Sequence, residues 1–73
     1  MSVISYAQAK QLVLARLRQE MATMPASERT RPRYIINFKP YSILDLIAIV
    51  QRETPDGVKF VMDTVKQLGY AVS

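Results

Sequence analysis

The chain has 73 residues, a formal net charge of +4, and neither cysteine nor histidine. That length holds one small domain, residues 1–73, whose apolar burial only narrowly exceeds the entropy lost on ordering the chain. The missing Cys and His exclude disulfide staples and the softer metal sites, and they remove the commonest general base and the strongest nucleophile. Hydrophobic residues make up 49% of the chain, enough for a packed core. The charge is uneven: residues 1–39 carry seven cations and two anions, residues 40–73 three cations and four anions. An electrostatic partner is therefore expected to meet the first half.

The first residues, Met1-Ser2-Val3-Ile4-Ser5, lack the basic leader and apolar run of a signal peptide. The longest apolar run, Leu46 to Val50, is far shorter than a membrane span. The expected location is the cytoplasm or an intracellularly assembled particle, with no membrane partner.

Ser5 with Gln8 three residues on makes a capping box that opens a helix over residues 5–23. Tyr6, Val13, Leu17, Met21 and Met24 recur at helical spacing, with Ala9 and Leu14 at the edges of that stripe. Pro25 stops the helix by disfavouring helical backbone at the residue before it. Residues 24–33 have no apolar period and two prolines, and read as a basic loop. Residues 34–39, Tyr-Ile-Ile-Asn-Phe-Lys, are rich in β-branched and aromatic types and predict a strand ended by Pro40. Tyr34, Ile36 and Phe38 would share one of its faces, and Ile35, Asn37 and Lys39 the other.

Ser42 and Asp45 form a second capping-box pattern before a helix over residues 43–52. Ile43, Leu44, Leu46, Ile47, Ile49 and Val50 make it apolar nearly all round, so it is either central to the core or covered by another chain. Thr54-Pro55-Asp56 starts a third helix over residues 55–68, with a cap, a proline at the first position and an acid against the dipole. Its predicted stripe is Val58, Val61, Met62, Val65 and Leu68, with Phe60 lying off it. Gly69 suits a left-handed helix ending, and Tyr70 to Val72, in the tail of residues 69–73, is short enough for only a minimal strand.

The expected fold is mostly α, of the α+β kind: a small three-helix domain in the order helix, strand, helix, helix. Its single strand at 34–39 needs a partner for its backbone. The C-terminal tail, the residues 1–4 and a strand of another chain are all open, as is an extended segment lying across the helices.

Nothing in the chain assembles chemistry. Ser5 and Ser42 are explained as caps, Glu53 and Asp56 as charges at a helix start, and Gly57 and Gly69, the only glycines, build no phosphate cradle. No catalytic residue, metal ligand, cofactor or small-molecule substrate is expected. Two binding readings remain. The first is a non-enzymatic protein-interaction or assembly module that self-associates or docks into a larger complex, such as a minor subunit of a phage or other particle. Its candidate interface is Tyr34, Ile35, Ile36, Phe38, Ile43, Ile47 and Phe60. The alternative is nucleic-acid binding through Arg16, Arg18, Arg29, Arg31, Arg33 and Lys39, with Tyr34 and Phe38 as stacking aromatics. Reading the last two helices as a helix-turn-helix is disfavoured, because the outer positions of the third helix include Asp56 and Asp63 and no Arg.

Overall fold

The two ends of the chain meet. The computed structural model describes residues 2–73, and in it strand β1 (Ser2–Ile4) pairs in parallel with the last strand, β4 (Tyr70–Val72). Ser2 lies opposite Tyr70 and Ile4 opposite Val72, and the Ser73 amide donates to the Ile4 carbonyl at 3.0 Å. Parallel strands need a long crossover; here the whole helical body supplies it.

Helix α1 (Tyr6–Thr23) starts at the predicted box: Ser5 Oγ accepts the Gln8 amide at 3.1 Å, and Gln8 Oε1 accepts the Ser5 amide at 2.9 Å. It ends at Met24, extended before Pro25. The buried face runs Ala9, Val13, Leu17, with Leu14 beside it. It is therefore rotated from the predicted stripe, and Ala9 and Leu14, taken as edges, are core. The small Ala9 is fully enclosed.

Residues 24–33 are a chain of turns, including a 3₁₀ turn at Ala26–Glu28. Glu28 N–H donates to Pro25 O, Arg29 to Ala26 and Arg31 to Glu28. There follows a hairpin in place of the single predicted strand. Strand β2 (Tyr34–Ile36) turns at Asn37 and Phe38 and returns as β3 (Lys39–Tyr41). Tyr34 lies opposite Tyr41, Ile35 opposite Pro40 and Ile36 opposite Lys39. Both turn residues have positive φ, 51° and 66°. That is the two-residue turn whose twist matches the flanking strands, usually built from Asn-Gly. The predicted strand thus pairs with its own continuation rather than with the tail or the N-terminus, which pair with each other. Pro40 does not end it. Beyond the pair that flanks a two-residue turn, the next residue makes no ladder bond, so its missing N–H is tolerated.

Helix α2 (Ile43–Gln51) is capped by Ser42, whose hydroxyl accepts the Asp45 amide at 3.1 Å, without the reciprocal bond that completes the box at α1. Ile43, Leu46 and Val50 are fully buried and Leu44 is partly exposed. Its all-round apolar character is accounted for by packing against both α1 and α3 (Pro55–Gln67).

The turn into α3 is tight. Glu53 takes a left-handed φ of 55°, and both the amide and the hydroxyl of Thr54 reach the Ile49 carbonyl, at 3.2 and 3.3 Å. Gly57 then lies directly on that carbonyl: a Cβ there would fall 2.1 Å from Ile49 O. The buried face of α3 is Gly57, Val61 and Val65. Met62 and Leu68, predicted to be core, are partly exposed, whereas Phe60 is half-buried. The face turns toward Phe60 because Tyr34 of β2 covers it. Gly69 closes the helix at φ 93°. No helix among the described residues is long and apolar enough to cross a membrane.

Candidate interaction site

Alternation divides the hairpin into two faces. Tyr34, Ile36 and Tyr41 turn inward. Ile36 is buried in the main core, and the Tyr34 ring meets Phe60 edge-on, with centroids 6.4 Å apart at 81°. The Tyr34 hydroxyl donates to Glu20 Oε1 of α1 at 2.7 Å. Burial, and then that bond to a carboxylate, push its pKa up to about 12. Ile35 and Pro40 turn outward, where nothing covers them, and Ile35 is 77% exposed.

The tip is fastened to the start of α3. Asp56 Oδ2 accepts the Tyr41 hydroxyl at 2.5 Å, and Asp56 Oδ1 accepts Asn37 Nδ2 at 2.7 Å. These two donors, with the nearby Lys39 charge, hold the Asp56 carboxyl below its ordinary pKa despite some loss of solvation. The same bond raises the Tyr41 hydroxyl. Asn tolerates left-handed backbone better than most residues, and here its side chain is also anchored. Phe38, next along, is left-handed as well and is 100% exposed.

The structure therefore splits the seven candidate interface residues. Ile35, on β2, and Phe38, at the turn, are exposed. Tyr34, Ile36 and Phe60 lie on the inner side of the hairpin, Ile43 is fully enclosed at the start of α2, and Ile47 is half-buried. The expectation that Phe38 shares a face with Tyr34 and Ile36 fails because the chain reverses at Asn37.

The basic candidates are spread over three elements. Arg16 and Arg18 are on α1, Arg29, Arg31 and Arg33 on the turn segment, and Lys39 on β3. Arg31 pairs with Glu28 at 3.6 Å. Among the described residues the other five have no acidic partner within ion-pair distance. Of the two acids singled out at the start of α3, Glu53 faces Lys10 at 3.4 Å and Asp56 is occupied by the hairpin.

Asn37, Tyr41 and Asp56, which together hold the tip, were not singled out for this from the sequence. The only local signal was an Asn among β-formers, and an Asn-Phe pair is a weak cue for a turn normally made with Gly. Comparison of the chain with protein-family models, with curated proteins and with solved structures finds no match.

Proposed function

We propose that this chain is a non-enzymatic protein-interaction module, a subunit that docks through the outer surface of its β2–β3 hairpin. One observation carries the reading: Phe38 is fully exposed in a left-handed backbone at a tip that Asn37, Tyr41 and Asp56 hold in place. A left-handed non-glycine residue is disfavoured by about 1–2 kcal/mol. Phe38 has no burial within the chain to offset that. Burying such a side chain against a partner contributes about 1.5–3 kcal/mol. A large aromatic on a fixed backbone also loses little freedom on binding, as interface anchors generally do. Ile35 and Pro40, opposite each other on the strands, add exposed apolar surface.

The test compares immobilised wild type with Ile35→Lys and Phe38→Gly for the proteins each retains from its native source. Loss of the same retained species in both variants, with unchanged circular dichroism, supports docking by the hairpin. Equal retention by all three removes the reading.

A second reading, nucleic-acid binding, is supported by Arg16, Arg18, Arg29, Arg33 and Lys39, which have no acidic partners among the described residues, and by an aromatic free to stack. It is ranked lower because its cations are spread over α1, the turn segment and β3, and only Lys39 adjoins Phe38 along the chain. Replacing Arg29, Arg31 and Arg33 together by Ala separates the two. That variant loses salt-sensitive retention on single-stranded DNA if the second reading holds, and keeps its protein partners if the first does.

A further inference from the structure

On the inner side of the hairpin, the packing of α1 on α3 leaves an open groove. Buried Val13 and Leu17 of α1 form its floor, and Tyr34 and Phe60 wall it, around a cavity of about 240 Å³. Arg16 and Glu20 of α1 line it as well, facing Thr64 and Gln67 of α3. Four residues apart, Arg16 and Glu20 share one face of the helix, yet they form no ion pair with each other. Glu20 Oε1 accepts the Tyr34 hydroxyl at 2.7 Å, which leaves the second carboxylate oxygen to accept another donor. Arg16 has no acidic partner among the described residues. One groove thus presents an apolar floor, an aromatic wall, an unpaired cation and a carboxylate oxygen with room for a donor.

We propose that this groove binds a free α-amino acid with a large apolar side chain, its carboxylate on Arg16, its ammonium on Glu20 and its side chain over Val13, Leu17 and Phe60. A zwitterion uses both rim charges, whereas an anion or a cation alone meets one attraction and one repulsion. The guanidinium suits the carboxylate because its N–H groups match both oxygens. The ammonium supplies the donor that the second Glu20 oxygen lacks. Size agrees with a ligand of this kind: about 240 Å³ lies below the roughly 300–1,000 Å³ of pockets for drug-sized molecules. Thr64 and Gln67 add a hydroxyl and an amide on the α3 side. Arg16 and Glu20 are exposed, so solvent screens both pairs, and the expected dissociation constant is on the order of 1 mM. The groove lies behind the hairpin, away from its outward-facing residues, so this site and the docking reading stand or fall separately.

The experiment is a titration of the isotope-labelled chain with L-phenylalanine and L-leucine up to about 20 mM, followed through amide chemical shifts. The expected result is saturable shifts confined to residues 13–20, 34 and 60–67. N-acetyl-L-phenylalanine lacks the ammonium and L-phenylalaninamide the carboxylate; each is expected to bind on the order of 5-fold more weakly, the worth of one exposed charge pair. Glycine, without a side chain, is expected not to saturate. Arg16→Gln, and Glu20→Gln with its acceptor for Tyr34 retained, are each expected to weaken L-phenylalanine by the same factor of about 5. No saturation with either amino acid, or saturable shifts elsewhere on the chain, overturns the site. Equal binding of the two blocked forms overturns the zwitterion as ligand, and glycine binding as tightly as L-phenylalanine overturns the role of the apolar floor. Should a variant fail to fold, the ligand series on the wild type decides alone.

Discussion

Asn37 and Asp56 are nineteen residues apart in sequence and joined by a hydrogen bond of 2.7 Å from Nδ2 to Oδ1. That bond ties the turn of a hairpin to the first turn of a helix, and Tyr41 doubles it on the other carboxylate oxygen. An exposed two-stranded hairpin is marginal on its own. Here it is held at its tip by Asp56 and through its strands by Ile36 in the core and Tyr34 on Glu20.

The clamp makes stability depend on pH at the acid end. The Asp56 carboxyl has a folded pKa below its ordinary value of 3.8. Its contribution is therefore fully present above the ordinary carboxylate range and lost as pH falls through the depressed folded value. Asp56→Asn is expected to lower the thermal midpoint at neutral pH and to flatten the fall in stability below pH 4. An unchanged acid limb in that variant contradicts the clamp.

Tyr34 acts at the other end. Its folded pKa of about 12 lies above the ordinary 10.0, so its contribution is present below pH 10 and lost as pH rises toward 12. Tyr34→Phe keeps the ring on Phe60 but removes the hydroxyl bond to Glu20. It is expected to remove part of the alkaline loss, measured as thermal midpoint between pH 9 and 12.

Gly57→Ala tests the contact of α2 with α3. The new Cβ meets the Ile49 carbonyl, a backbone atom that cannot rotate aside. A loss of about 3 kcal/mol is expected in urea unfolding, within the range of overpacked cores. A neutral substitution means that the helices separate more easily than this packing implies.

Arg29, Arg31 and Arg33 are exposed or half-buried, and only Arg31 has an ion pair, itself exposed. Their joint replacement by Ala is expected to change stability by no more than about 0.5 kcal/mol per site. Denaturant unfolding measures this directly, and a larger loss makes the turn segment structural.

The helices were legible because their signals are local. Ser5 with Gln8, Ser42, and Thr54-Pro55 mark starts by satisfying backbone donors within one turn. Which face each helix buries was read less well, because that depends on neighbours far along the chain. Phe60 turns inward only because Tyr34 covers it, and Gly57 is enclosed only because Ile49 lies on it. The hairpin was hidden for a related reason. Its turn uses Asn-Phe where Gly is usual, and the bonds that hold that turn come from Asp56 and Tyr41 rather than from local propensity. Of the candidate interface, Ile35 and Phe38 lie exposed on the hairpin, whereas Ile36 and Ile43 are core. Apolar type alone does not distinguish a residue that faces a partner from one that faces its own helices.

Phe38→Gly tests the central claim most directly, because stability and association are expected to move in opposite directions. Glycine accepts the left-handed backbone freely, and the chain loses no intramolecular burial when a fully exposed ring is removed. Thermal unfolding and the retention of partner proteins should be measured on the same preparations of wild type and variant. The account predicts a variant more stable by about 1 kcal/mol, a rise of several degrees in Tm for a domain this small, together with lost association. A variant that is less stable contradicts the strained, uncovered tip, and one that associates as the wild type does contradicts the assignment of Phe38 to the interface.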